Sequence, residues 1–177
     1  MTIAIVGAGA VGCWMGGELS AAGADVTLVA RGEALDALRT RGIRADGVDI
    51  PVGVAEHASE VDADVIVLAV KATGASLAEI IDGTTAPIVM TQNSVEAPRL
   101  IASVVGEDRT VPGVVRGYFH HVGPAEVTMH GGPGSFTMGP GAPTLAQALE
   151  ATEITGIVRE DVPVSYTHLT LPTIYSV

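Results

Sequence analysis

The fold of this chain is decided by residues 2–12, which read TIAIVGAGAVG. The apolar, β-branched residues 2–6 predict a buried strand, and GAGAVG matches the pattern G-x-G-x-x-G. An apolar helical stretch follows at residues 13–22, and Gly23 is placed to end it. A second β-branched run lies at residues 26–29. Because strand, glycine turn, helix and strand follow in this order, we expect a dinucleotide-binding turn, and the alternative is a glycine turn without a ligand.

The turn requires glycine at three positions, each for a different steric reason. Gly7 lets the chain turn sharply off the strand, Gly9 lets a pyrophosphate approach the backbone, and Gly12 lets the helix pack close to the strands. The N–H groups at the helix start would then face the phosphates, with the positive end of the helix dipole behind them. The expected cofactor-binding residues of the turn are therefore Gly7, Ala8, Gly9, Ala10, Val11 and Gly12.

The residue that ends the second strand indicates which dinucleotide is bound. NAD sites usually have an acid there, which holds the ribose 2′-hydroxyl. This chain has Arg31, and its next acid is Glu33. An arginine can bind a 2′-phosphate through two hydrogen bonds, whereas an acid would repel it. We therefore predict NADP(H), and the alternative is a solvated arginine at a strand end.

The rest of the chain alternates between strand and helix patterns, which predicts an α/β fold of the Rossmann type. We expect a doubly wound, mostly parallel sheet with an antiparallel hairpin at its edge. The strongest strand pattern, residues 64–70, is apolar on both faces and predicts a central parallel strand. Residues 43–54 predict a hairpin that turns at Asp46-Gly47, with Pro51 marking an edge strand. Further patterns predict helices at residues 32–41, 77–81, 95–105 and 143–152, strands at 86–90, 111–122 and 156–158, and a second hairpin at 127–138 that turns at the glycines 131–134.

Polar side chains follow two of the predicted strands. Lys71 follows the central strand, and Thr91-Gln92-Asn93-Ser94 follow the next one. Ligands of doubly wound sheets bind outside the carboxyl ends of the strands, so both groups are candidates for a site. The alternatives are a solvated lysine and a helix cap formed by Asn93 or Ser94. His120 and His121 are adjacent on a strand, so they point to opposite faces, and we expect no metal site.

Composition excludes several classes of protein. The formal net charge of −11 argues against nucleic acids or anionic membranes as partners, and 47% apolar residues argue against disorder. The single cysteine, Cys13, excludes a disulfide framework, and we expect it to be buried and unreactive. No apolar run reaches the length of a membrane span, and no charged leader precedes the first strand. We therefore expect a cytoplasmic protein.

The combination of motifs resembles the N-terminal domain of the ketopantoate reductase (2-dehydropantoate 2-reductase) family. The resemblance covers about residues 1–163 and is carried by GAGAVG, Arg31, Val70-Lys71-Ala72 and Thr91-Gln92-Asn93. It implies NADPH-dependent reduction of a 2-keto acid, most specifically 2-dehydropantoate on the route to pantothenate. It also implies that Arg31 holds the 2′-phosphate, that Lys71 and Asn93 lie beside the nicotinamide and the substrate, and that His121 offers a backbone contact. The family more often has glycine where this chain has Ser94.

The same resemblance implies a second, helical domain that carries the catalytic lysine. No lysine follows Lys71, so we expect no catalytic residue in this chain and little turnover by it. Residues 164–177 look like a translated sequencing adapter, and we expect them to be foreign to the domain. Two other interpretations remain open at this point: a regulatory module that senses a nucleotide, and a related dehydrogenase of hydroxy acids or sugar acids.

Overall fold

The structure is a computed structural model that describes residues 1–71, 75–92 and 96–162. A parallel sheet organises this part of the chain. In chain order the strands are β1 (Thr2–Val6), β2 (Asp25–Val29), β3 (Ile43–Ala45), β4 (Val48–Ile50), β5 (Gly53–Ala55), β6 (Val65–Leu68), β7 (Ile88–Met90), β8 (Thr110–Val111), β9 (Gly113–Gly123), β10 (Glu126–Met138) and β11 (Thr155–Val158). The helices are α1 (Ala10–Ala21), α2 (Gly32–Arg41), α3 (Ala75–Ile80), α4 (Glu96–Val105) and α5 (Pro143–Leu149).

The main sheet has six strands in the order β5-β2-β1-β6-β7-β8. All neighbouring strands in it are parallel, so they end at one edge of the sheet. The chain leaves β1 toward β2 on one side and later returns to β6 on the other side. This reversal makes the carboxyl end of β1 the topological switch point, where doubly wound sheets bind ligands. The predicted Rossmann-type fold is confirmed.

The helix α1 lies between this sheet and a second one. A Cβ built on Gly16 would come within 3.0 Å of Leu28 in β2 and 3.1 Å of Ile43 in β3, so the helix touches both sheets at one residue. Cys13, Trp14 and Met15 are also buried. A helix that is apolar all round is stable only when every side is covered, and here sheets cover it on two sides.

The second sheet contains the expected antiparallel hairpin, but the turn of that hairpin is not where the glycines predicted it. The hairpin consists of β9 and β10, and the chain turns at Pro124-Ala125. The glycines at 131–134 lie inside β10, where the pairing with β9 shifts between His130 and Ser135. The strand bulges here because it passes over Trp14, whose indole N–H donates to the Pro133 carbonyl at 2.9 Å. The prediction was wrong because this contact joins residues that are far apart in sequence.

The predicted hairpin at residues 43–54 is also shorter than expected. The strands β3 and β4 form it, but their pairing stops at Ile50. Pro51 has no N–H to donate, so the ladder cannot continue there. The chain then crosses to the main sheet, where β5 pairs in parallel with β2. Gly53 permits this approach, because a Cβ at that position would overlap with the Thr27 hydroxyl.

The described part of the chain ends beside the hairpin. Val162 is buried and packs against Val114 at the start of β9. Residues 163–177, including the segment expected to be foreign, lie outside the described residues. Among the helices described here, none has the length and apolar character needed to cross a membrane.

Substitution of Gly12 by alanine tests the packing of α1 against the glycine turn. A Cβ at Gly12 would overlap with the carbonyl oxygen of Gly7, so we expect the free energy of unfolding to fall by about 2–3 kcal/mol. Gly9→Ala is the matched control, because a Cβ there meets no atom within 4 Å. Urea denaturation of both variants measures the difference. Equal stability of the two variants would contradict the packing argument.

Candidate functional site

The residues that follow five neighbouring strands lie together at the carboxyl edge of the main sheet. Hydrogen bonds continue the ladders beyond the strands: Ala30 N–H to Ala55 O (3.1 Å), Gly7 N–H to Val29 O (2.9 Å), Ala69 N–H to Val6 O (2.8 Å) and Thr91 N–H to Leu68 O (3.3 Å). The segments that begin at Glu56, Arg31, Gly7, Val70 and Gln92 therefore stand side by side along this edge.

The glycine turn lies at the centre of the edge and leaves room for a ligand. Gly7 has a φ of 110°, which disfavours any other residue, and its carbonyl lies against Gly12. The first hydrogen bond of α1 runs from Cys13 N–H to Gly9 O at 2.9 Å, so the three N–H groups before it need acceptors from outside the helix. A Cβ built on Gly9 would meet no atom within 4 Å, so the space beside this residue is open. This combination of free donors and open space fits a phosphate group.

Two cavities flank the turn. One has a volume of about 380 Å³ and extends over β2 and β5, and the other has a volume of about 640 Å³ and extends over β6 and β7. Gly7, Gly9 and Val70 line both cavities, so the two form one cleft that crosses the turn. A cleft divided at a glycine turn suits an extended ligand with a central anionic group.

The smaller cavity contains the predicted arginine. Arg31 precedes α2, is exposed, and lines this cavity together with Glu56 and His57. Within residues 1–71, 75–92 and 96–162, Arg31 forms no ion pair, whereas the Glu56 carboxylate pairs with Arg39 at 2.9 Å. The cavity therefore presents one guanidinium whose charge is not neutralised by a carboxylate.

Lys71 and His121, two of the predicted site residues, line the larger cavity. Thr91 and Gln92 also line it, and both are held by the neighbouring strand: Thr91 Oγ1 donates to Leu68 O at 3.1 Å and Gln92 Nε2 donates to Val70 O at 2.5 Å. Asn93 and Ser94 lie outside the described residues, so their predicted roles stay predictions.

The two adjacent histidines are separated by the pleat of β9. His121 faces the larger cavity, and His120 pairs with Thr128 and does not line the cavity. No group of three or more histidine, cysteine or carboxylate side chains comes together among the described residues.

Glu56 and His57 are site residues that the sequence analysis missed. The sequence pattern of residues 48–54 predicts a single hairpin strand, so the residues that follow it are not expected at the carboxyl edge. Pro51 and Gly53 were the available signal, because a proline ends antiparallel pairing and a glycine permits close approach to another strand.

Cys13 is near the turn but takes no part in the site. Its side chain is buried, and the thiol donates to the Ala8 carbonyl at 3.3 Å. Burial raises the pKa of the thiol to about 12, because the thiolate would lose its hydration, and the charge of Arg41 lowers it only in part. The predicted burial of Cys13 is confirmed, and with this pKa we expect the thiol to stay protonated at neutral pH.

The fold and the cleft together define a Rossmann-type domain with an open cleft at its switch point, the place where such domains bind ligands. The chain matches the model of one protein family, Ketopantoate reductase PanE/ApbA, over residues 3–143. The chain belongs to this family, which confirms the resemblance seen in the sequence.

Individual relatives agree with the family. A solved PanE/ApbA family ketopantoate reductase from Ralstonia eutropha JMP134 is 29% identical and covers 94% of this chain with a TM-score of 0.83. A 2-dehydropantoate 2-reductase from Mesorhizobium japonicum is 44% identical over 78 residues, 41% of this chain. A D-mandelate dehydrogenase solved with NADH and anilino(oxo)acetate shares the fold at 22% identity with a TM-score of 0.79. The chain spans 59% of the length of the first relative, and the match spans 24% of the second.

The accessibility of the Cys13 thiol follows from its burial. In the folded chain at about pH 8, a disulfide reagent should label Cys13 at least a hundredfold more slowly than it labels the chain in urea. Labelling is followed by absorbance, and the urea-unfolded chain is its own control. Fast labelling of the folded chain would show that the start of α1 opens readily.

Proposed function

We propose that this chain binds NADP(H) and forms the cofactor-binding part of an NADPH-dependent 2-dehydropantoate 2-reductase. The observation that carries the proposal is Arg31, an exposed guanidinium that forms no ion pair with the described residues and lines the cavity beside the glycine turn. A guanidinium at the end of the second strand fits a 2′-phosphate, because it offers two parallel N–H donors and a permanent positive charge.

The site fits the other parts of the cofactor as well. The open space at Gly9 and the free N–H groups at the start of α1 suit the pyrophosphate, which brings negative charge to the positive end of the helix dipole. The smaller cavity would then hold the adenosine half and the larger cavity the nicotinamide half. When bound, the cofactor supplies the hydride that reduces a keto carbon.

The substrate assignment rests on the family and on Lys71. Relatives with 44% and 46% identity over matched segments are named 2-dehydropantoate 2-reductase. A 2-keto acid is an anion at neutral pH, and Lys71 places an exposed ammonium in the larger cavity, where it can attract the carboxylate. Asn93, which follows the neighbouring strand, would supply a hydrogen bond to the same substrate.

Reduction also requires a proton at the oxygen that becomes the hydroxyl. We assign that proton donor to a lysine in the part of the family relatives that lies beyond this chain, as the sequence resemblance implies. This chain by itself should therefore bind the cofactor and turn over little. Residues 1–163 would be the cofactor-binding domain, and residues 164–177 would contribute nothing to the site.

A second candidate function is an NAD-dependent dehydrogenase of hydroxy acids. Glu56 favours it, because a carboxylate near the adenosine ribose suits a 2′-hydroxyl and repels a 2′-phosphate. D-mandelate dehydrogenase, whose fold this chain shares, was solved with NADH. The ion pair of Glu56 with Arg39 weakens this argument, because it neutralises the carboxylate.

A calorimetric titration of the chain with NADPH and then with NADH separates the two candidates. We expect NADPH to bind at least tenfold more tightly, a difference of about 1.4 kcal/mol. Circular dichroism of the same sample verifies that the chain is folded. Tighter binding of NADH would favour the hydroxy-acid dehydrogenase, and no binding of either by a folded chain would reject the dinucleotide site.

Substitution Arg31→Glu tests the residue on which the cofactor assignment depends. The change replaces the cation by an anion beside the 2′-phosphate, so NADPH affinity should fall at least tenfold while NADH affinity changes little. Arg116→Glu is the matched control, because Arg116 is exposed and lines neither cavity. Unchanged NADPH affinity in Arg31→Glu would remove the role given to Arg31.

A further inference from the structure

A carboxylate stands where the proposed function requires an anion to bind. Glu56 follows β5 and Arg31 follows β2, and these strands are neighbours whose ladder continues through the Ala30–Ala55 hydrogen bond at 3.1 Å. Both side chains line the smaller cavity. A free carboxylate here would repel a 2′-phosphate and could also form an ion pair with Arg31.

Arg39 opposes both effects, because it pairs with this carboxylate. Its Nη2 donates to Glu56 Oε1 at 2.9 Å, so the carboxylate is held by a residue outside the cavity lining. Arg39 lies in α2 and Arg31 directly precedes that helix, so one element carries both cations. About half of each side chain is exposed, 53% for Arg39 and 49% for Glu56.

A second acid makes the position of Arg39 more important. The Glu56 N–H donates to Glu60 Oε2 at 3.1 Å, which brings another carboxylate to the same segment. Without Arg39, the Glu56 carboxylate would be unpaired in a cavity whose lining contains no arginine or lysine besides Arg31. With Arg39, the Glu56 carboxylate has a cationic partner, and Arg31 stays available to a ligand.

We propose that Arg39 is a specificity-determining positioning residue: by holding the Glu56 carboxylate it keeps Arg31 free for the 2′-phosphate and sets the preference for NADPH over NADH. This inference rests on the proposed NADP(H) function of the same site. Arg39 acts through Glu56 and not by direct contact with the cofactor, so its effect must disappear when Glu56 carries no charge.

A double-mutant cycle tests that dependence. NADPH and NADH affinities are measured by calorimetry at about pH 8 for the parent chain, Arg39→Ala, Glu56→Gln and the double variant. Because the pair is exposed, we expect Arg39→Ala to weaken NADPH binding by about fivefold at low ionic strength, with NADH affinity unchanged. In the Glu56→Gln background, the same substitution should change NADPH affinity by less than about twofold.

The outcomes separate this inference from the proposed function. If the parent chain does not prefer NADPH, the proposed function fails. If the parent prefers NADPH and Arg39→Ala leaves that preference intact, the inference fails alone. A fivefold loss that persists without the Glu56 charge would make Arg39 a direct phosphate ligand and would also overturn the inference.

A matched control accounts for the general cost of breaking an exposed ion pair. Arg44 donates to both oxygens of Asp49 at 2.7 and 3.0 Å, and these hydrogen bonds lower the pKa of Asp49. The pair lies in the second sheet and lines neither cavity. Arg44→Ala should leave the ratio of NADPH to NADH affinity unchanged, so an effect as large as that of Arg39→Ala would count against the inference.

Raising the ionic strength from about 0.05 M to about 0.5 M should reduce the effect of Arg39→Ala on NADPH affinity, because salt screens exposed charges.

Discussion

The close approach of α1 to the glycine turn is the constraint on which the rest of this structure depends. The carbonyl of Gly7 lies where a side chain on Gly12 would be, so strand, turn and helix can pack only when both positions are glycine. This contact aims the first N–H groups of α1 across the carboxyl edge of the sheet. It also brings Gly16 within reach of both sheets, and the burial of Trp14 and the bulge of β10 follow from that placement.

Two kinds of positive charge line the cleft: partial charges of backbone N–H groups and full charges of side chains. Backbone N–H groups at the turn supply partial positive charge that no mutation of a side chain removes, and they suit any dinucleotide. Arg31 and Lys71 add full charges at the two ends of the cleft, where the fold brings different strands to the same edge. In the function proposed here, discrimination between cofactors would fall to the exposed side chains around Arg31, where Glu56 pairs with Arg39.

Local sequence patterns predicted the elements well where neighbours in sequence also pack together. The first strand, the turn, the helix and the second strand are local, because each buries its apolar residues against the next. The patterns failed at Pro51 and at the glycines 131–134, where the partner lies far along the chain. Gly53 lies against Thr27, and the bulge of β10 lies against Trp14. Contacts between residues so far apart in sequence produce no hydrophobic periodicity that a local pattern could show.

The amino-acid sequence was enough to assign the fold class, the glycine turn, the position of Arg31 and Lys71 at strand ends, and the family. These follow from short patterns, because glycine conformations and strand periodicity are local physics. Two features are visible only in the folded chain: β5 joins the main sheet and brings Glu56 into the same cavity as Arg31, and Arg39 holds Glu56. Pro51 and Gly53 indicate that the hairpin ends, but the strand that β5 joins is set by the burial of the whole core.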